Sequence, residues 1–284
     1  MPSASISPVN VASVPQRSVF RYPGGKTWLV PQLRAWLKSQ GSPPSLLIEP
    51  FCGGGVLGLT AVAEGLVERA LLVELDPNVA AVWEVLINGD AEGLAVMIET
   101  FDFTEGNVRA ALAKECAGVD LAFQTILRNR VQRGGIMAPR AGLLRAGERG
   151  RGLSSRWYPE TLGRRIRNIM EYRERIAFLH GDGLVVMAQH VGEESTVLFI
   201  DPPYTAGGQS AGSRLYRSSE LDHELLFDLA HQHRGDFLMT YDNAPEVRAL
   251  ASSQGFGVLP IAMHSNQNGQ MRELLIGRDL EWVL

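Results

Sequence analysis

Cysteine is scarce in this chain. Among 284 residues only Cys52 and Cys116 occur, 64 positions apart, so neither a disulfide framework nor a CxxC-type zinc ribbon can be read from them. A reducing, cytoplasmic setting fits that usage. Long apolar runs are missing too: no stretch approaches the roughly 18 residues of a membrane span, and the opening MPSASISPVNVASVPQRS has no continuous apolar core of signal-peptide length. The expectation is a soluble chain with no membrane partner, frayed over residues 1–16. The six histidines show no HExxH or clustered spacing, so no metal is expected; His231 and His233, on different faces of one helical stretch, read as surface residues. Repeats, heptads and low-complexity tracts are also absent.

What is present excludes disorder as the main state, since 45% of residues are apolar and 20% charged. The net charge of −4 would argue against nucleic-acid binding if it were evenly spread. It is concentrated instead. From Arg128 to Arg167 there are eleven arginines, no lysine, no aspartate and two glutamates, a local +9 that leaves −13 for the rest.

Short apolar runs alternate with amphipathic segments, the pattern of a parallel sheet covered by helices. Strands are expected at Leu46–Phe51, Ala70–Leu75, Ala177–His180, Thr196–Ile200, Asp236–Tyr241, Gly257–His264 and Glu273–Ile276. Helices fit at Gly55–Glu68, Asn78–Ile87, Gly183–Val191, Glu220–Arg234 and Ala244–Ser253. The alternation stops between the second and third strands. There, helix-like stretches (Val108–Cys116, Asp120–Arg133, Thr161–Ile176) flank a strandless Gly/Arg-rich run, Gly134–Arg156. This divides the chain into an α/β domain of residues 17–88 plus 177–284 and an inserted, mostly helical subdomain of residues 89–176.

Two places carry chemistry. In the first, an apolar strand runs through Glu49-Pro50 into Phe51-Cys52-Gly53-Gly54-Gly55 and then a helix. Glycine suits a sharp turn at which a ligand approaches the backbone without a Cβ in the way, here a nucleoside. About 20 residues on, the second strand ends in Glu74-Leu75-Asp76, where a carboxylate can accept from both ribose hydroxyls. A tight turn with surface acids is the plainer reading of the glycines alone. NAD is also compatible with the spacing, although the pattern is Phe-x-Gly-x-Gly rather than GxGxxG.

The second place is Asp201-Pro202-Pro203-Tyr204, directly after the apolar Val197-Leu198-Phe199-Ile200. Two prolines end the strand ladder and stiffen a loop at the carboxyl edge of the sheet, where open α/β folds bind ligands. The Asp201 carboxylate and the Pro202 carbonyl would then face the cleft as two acceptors. An exocyclic amine of adenine or cytosine is a poor nucleophile because its lone pair is delocalised; two acceptors on its hydrogens favour a pyramidal nitrogen. Tyr204 offers a flat face for a base removed from its duplex. The competing reading is a proline-stiffened turn with a capping aspartate.

Together these residues resemble the Dam-type family of DNA adenine-N6 methyltransferases, which use S-adenosylmethionine. Phe20-Arg21-Tyr22-Pro23-Gly24-Gly25-Lys26 is similar to the family's first cofactor motif, in which an aromatic and a lysine border the methionine moiety. The resemblance implies a cofactor set of Tyr22, Gly24, Gly25, Lys26, Glu49, Phe51, Cys52, Gly53, Gly55, Glu74 or Asp76 for the ribose, Asp182 for the cofactor's adenine amine, and Asp201. Tyr22 stands where the family commonly has Trp. Cys52 reads as a small loop filler rather than a nucleophile. Ile126-Leu127-Arg128-Asn129-Arg130 is similar to the family's Leu-Asn-Arg element, but Val131-Gln132-Arg133 replaces the tyrosines that follow it there. His264-Ser265-Asn266 and Glu273-Leu274-Leu275-Ile276 resemble the family's final loop and strand.

The resemblance implies a Rossmann-like methyltransferase sheet with helices on both faces and an inserted DNA-recognition subdomain. The activity implied is methyl transfer from S-adenosylmethionine to a flipped adenine in duplex DNA, leaving S-adenosylhomocysteine, with Asp201, Pro202, Pro203 and Tyr204 catalytic. RNA adenine, cytosine N4 and a catalytically silent DNA-binding module stand as alternatives, and a cognate restriction endonuclease is an open partner. The insert's Arg128, Asn129, Arg130, Arg133, Arg140, Arg145, Arg149, Arg151 and Arg156 are the expected DNA contacts, since phosphate neutralisation releases counterions. Trp157 and Tyr158 read as stacking side chains or, preferably, as anchors of the loop.

Overall fold

The computed structural model describes residues 13–21, 25–133, 142–145, 150, 152–203, 221–264 and 270–283. Seven strands form one sheet: β1 (Leu46–Glu49), β2 (Arg69–Glu74), β3 (Ile176–His180), β4 (Thr196–Ile200), β5 (Phe237–Asp242), β6 (Gly257–His264) and β7 (Gln270–Gly277). Their order is β3-β2-β1-β4-β5-β7-β6. The first five pair in parallel, and β7 runs antiparallel to both β5 and β6. This is a Rossmann-like α/β sheet. The alternation pointed to a parallel sheet, which describes the first five strands; β6 and β7 are separated only by residues 265–269, too few for the crossover of a dozen or more residues that parallel neighbours require.

Because successive strand side chains point to opposite faces, the sheet feeds two cores. Leu47, Leu72, Val197, Phe199, Leu238 and Leu275 face one layer; Ile48, Val73, Leu198, Ile200, Met239 and Ile276 face the other. The first layer holds α1 (Val30–Ser39), α2 (Val56–Ala63) and α3 (Pro77–Ile87). Between α3 and β3 lie α4 (Ala91–Thr100), α5 (Glu105–Ala113), α6 (Gly118–Val131) and α7 (Pro159–Met170). The second layer holds α8 (Gly183–Gln189), α9 (His223–Gln232) and α10 (Pro245–Ser253).

The helices between α3 and β3 continue the first core outward rather than forming their own. Leu94, Ile98, Ile126, Leu127, Leu162 and Ile166 are buried in the same cluster as Trp83 and Leu86 of α3. Asp90 caps α4 through Gly93 N at 2.8 Å, Thr104 caps α5 through Asn107 N at 3.2 Å, and Pro159 starts α7. Trp157 is buried and stacks on Phe103, with Phe101 and Phe123 edge-on. It is an anchor of this layer, while Tyr158 is more exposed and donates to the Ser155 carbonyl at 3.0 Å.

Several expectations need correcting. α2 stops at Ala63 rather than Glu68, where Gly65 takes φ 66°. α1 and α4 were not foreseen. His233 is buried, not on the surface: its ring nitrogens lie 2.9 Å from the Thr196 carbonyl and 3.1 Å from that of His190, tying the end of α9 to the start of β4. Among the described residues no helix is long and apolar enough to cross a membrane, and no cluster of three potential metal ligands occurs.

Candidate active site

The strand order reverses between β1 and β4, and crevices at such switch points, outside the carboxyl ends of the strands, are where open α/β sheets bind ligands. The two sequence features meet there. The glycine loop leaves the end of β1 and Asp201-Pro202-Pro203 leaves the end of β4, its neighbour.

The loop is fixed from behind. Gly53 and Gly55 take φ of 45° and 58°, the left-handed region that side chains avoid. A Cβ on Gly55 would lie 2.7 Å from the Trp83 ring, while Trp83 Nε1 donates to the Gly53 carbonyl at 2.9 Å. Cys52 N donates to the Val73 carbonyl at 2.9 Å, lacing the loop to β2. The Cys52 side chain is buried, and burial with Glu74 and Glu49 nearby pushes its thiol pKa well up, which suits a filler and not a nucleophile.

Two acids organise the same loop. Glu49, buried at the end of β1, accepts from Gly58 N at 2.5 Å and so holds the first turn of α2. Loss of solvation pushes its pKa up to about 8, against the pull of that amide. Glu74 ends β2 with Oε2 on Gly53 N at 3.0 Å and Oε1 on Asp76 N at 2.8 Å. Its pKa is raised to about 7, again chiefly by desolvation. Glu74 therefore touches the glycine loop. Asp76 instead caps α3 through Asn78 N at 2.8 Å, and Asp182 likewise caps α8 through Leu184 N at 2.8 Å.

On the β4 side, one oxygen of Asp201 is held twice. Lys26 Nζ lies 3.1 Å from Oδ1, and Thr240 Oγ1 on β5 donates to that same Oδ1 at 2.8 Å. Lys26, one of three lysines in the chain, is 5% exposed and also pairs with Glu273 of β7 at 3.0 Å. Burial lowers its pKa, but Asp201 and Glu273 outweigh that and leave it raised. Burial pushes Glu273 up to about 7, with Lys26 opposing and Asp201 and Asp242 adding. Asp242, next along β5, is raised for the same first reason.

The insert residues go to different places. Asn129, fully buried on α6, grips Arg21 by both backbone groups: Oδ1 accepts from its N–H at 2.9 Å and Nδ2 donates to its carbonyl at 3.0 Å. Arg130, also buried, donates to the Val19 carbonyl, and Arg165 on α7 donates to that of Ser18 at 2.9 Å. Burial, with Arg165, Arg21 and Arg156 nearby, lowers the Arg130 pKa to about 10. Arg128 donates to Gln124 at 3.1 Å and Arg156 to the Gln132 carbonyl at 3.4 Å. Arg133 and Arg145 are exposed. Tyr22, Gly24, Tyr204, Arg140, Arg149 and Arg151 lie outside the described residues; Gly25 precedes the 3-10 turn Lys26–Leu29.

Reading the sequence missed Trp83, Thr240, the Glu273 side chain and Gly183. Any Cβ on Gly183 would collide with the Pro50 carbonyl, so a glycine there lets α8 approach the end of β1. Each acts across the fold from a distant segment, and only Glu273, an acid inside an apolar strand, left a local signal.

No protein-family model matches the chain. A DNA N-6-adenine-methyltransferase of Escherichia phage P1 is 27% identical over 261 residues, which is 87% of this chain and 32% of that protein. The chain thus spans about a third of the relative's length. Solved structures with a similar course include an rRNA methyltransferase from Streptomyces viridochromogenes (TM-score 0.42, 14% identity, 96% of this chain and 94% of that one). Another is a precorrin-6y C5,15-methyltransferase from Geobacter metallireducens (TM-score 0.38, 8% identity, 87% and 88%). The fold assignment rests on the sheet order itself.

Proposed function

We propose that this chain is an S-adenosylmethionine-dependent methyltransferase acting on the N6 amine of adenine in duplex DNA. The observation that carries the reading is the meeting, at the switch point, of a glycine loop tied to Glu74 with an Asp201 carboxylate whose Oδ1 is held by Lys26 and Thr240. The likeness to the phage P1 enzyme supports it.

The residues present fit the cofactor. Gly53 and Gly55 offer backbone without side chains at positive φ, and Glu74 stands beside them as the acceptor for a ribose. When bound, S-adenosylmethionine supplies a methyl group on a positively charged sulfur. The chain's own part is positioning and electrostatics. Asp201 and the Pro202 carbonyl accept the two hydrogens of the target amine, turning its lone pair out of conjugation, and Tyr204 stacks on the base. The surplus proton leaves the nitrogen only after the nitrogen has become cationic. The helical layer α4 to α7 forms the DNA side, with exposed Arg133 and Arg145 offered to phosphates.

The test is Asp201→Ala, followed by methyl incorporation into duplex DNA and by a gel-shift assay. The expected outcome is a loss of transfer of at least about a hundredfold with DNA binding retained. Unchanged turnover in that variant would sink the reading. A wild-type chain that binds DNA yet transfers no methyl group would favour a silent binding module instead.

A further inference from the structure

We propose that Glu273 is a positioning residue for Asp201, acting through Lys26, and that Lys26 thereby serves the target amine rather than the cofactor's carboxylate. The inference rests on the proposed function above and deepens it at the same site.

The geometry is a chain of three charges across three elements. Glu273 Oε2 on β7 lies 3.0 Å from Lys26 Nζ, and Lys26 Nζ lies 3.1 Å from Asp201 Oδ1 at the end of β4. Glu273 and Lys26 are 4% and 5% exposed, so each is desolvated, and the Glu273 carboxylate is held charged there by Lys26. The lysine stem is long and would otherwise sample many rotamers. Pinned by Glu273, its ammonium is fixed on the oxygen that Thr240 also holds. Two donors on one oxygen restrict the rotation of the carboxylate, and a fixed carboxylate is what an amine acceptor needs. The antiparallel β7 is what makes this possible, because its pairing sets Glu273 opposite Asp242 on β5.

Among the described residues, the other titratable groups facing this cluster are Asp242 and Glu49, both acidic. Lys26 is the cation among them. An ammonium already shared by two carboxylates is badly placed to take a third from the cofactor.

The experiment compares wild type, Glu273→Gln, Lys26→Met and the double variant in single-turnover methylation of duplex DNA, with calorimetric binding of S-adenosylhomocysteine to each. Glu273→Gln is expected to slow transfer about tenfold or more, while the affinity for S-adenosylhomocysteine stays within about threefold of wild type. In the Lys26→Met background Glu273→Gln should cost no further rate, since the pair acts as one unit. Glu273→Asp should recover part of the rate and measures the same effect if the glutamine variant does not fold. The proposal is overturned if Glu273→Gln transfers at the wild-type rate, if Glu273→Asp recovers none of the lost rate, if rate and S-adenosylhomocysteine affinity fall together, or if the two single losses simply multiply. Asp201→Ala separates the two claims: if that variant is inactive and Glu273→Gln is not, only the positioning role fails; if Asp201→Ala is active, the proposed chemistry itself fails.

Discussion

Trp83 and Gly55 determine the shape of the glycine loop between them, and only one of the pair was visible beforehand. The glycines announce themselves as a run of three, whereas Trp83 sits 30 residues away from Gly53 and reads as one more apolar residue of α3. Its ring leaves no room for a Cβ on Gly55. Gly55→Ala must adopt φ near 58° or move the loop, which together costs about 1–3 kcal/mol. A urea melt should show that loss, and titration with S-adenosylhomocysteine should show about tenfold weaker binding. Wild-type affinity in a stable Gly55→Ala protein would mean that the loop does not hold the cofactor. Asp201 shows the opposite case: its proposed role is read from four consecutive residues, but the side chains that hold its Oδ1, Lys26 and Thr240, come from two other segments.

α6 carries the clearest link between the helical layer and the first motif. Asn129 satisfies both backbone groups of Arg21, and Arg130 and Arg165 hold Val19 and Ser18, so α6 and α7 fasten the strap that leads into Lys26. Asn129→Ala removes both hydrogen bonds to the half-buried Arg21 backbone, together worth about 1–3 kcal/mol. The expected signature is reduced stability together with weaker S-adenosylhomocysteine binding; a change in DNA binding alone would contradict the link. The Leu-Asn-Arg resemblance pointed to Arg128, Asn129 and Arg130 as DNA contacts, since an Asn and two Arg in a basic run look solvent-facing from sequence; Asn129 and Arg130 are buried, a tertiary fact, while Arg128 is half-buried. Elements with a clean period, such as β4 and α3, were readable to within a residue or so. α1 was not, because Pro31 reads as a breaker although at the second helical position it is favourable.

At the scale of the whole molecule, the acidic residues set the pH response. Glu49 and Glu273 are buried, with pKa values raised to about 8 and about 7 from 4.5. Below 4.5 the folded and unfolded chains both keep these protons; above it the unfolded chain releases them first, so stability falls as pH rises until the folded values are passed. Glu64, held down by Arg34, acts in the other direction, its contribution being lost as pH falls. The melting temperature of the cofactor-free protein should therefore decline between about pH 5 and about pH 8, and Glu49→Gln should flatten that decline; a melting temperature that rises across the window in both proteins would contradict the burial of these charges. Under the proposed function, the +9 gathered between Arg128 and Arg167 in a chain of net −4 is the sequence feature that would attract a polyanion. The central claim is tested most directly by incubating the protein with methyl-labelled S-adenosylmethionine and duplex DNA, then separating the nucleosides. The account predicts label in N6-methyldeoxyadenosine. Label only in N4-methyldeoxycytidine, or only in RNA offered alongside, would contradict it.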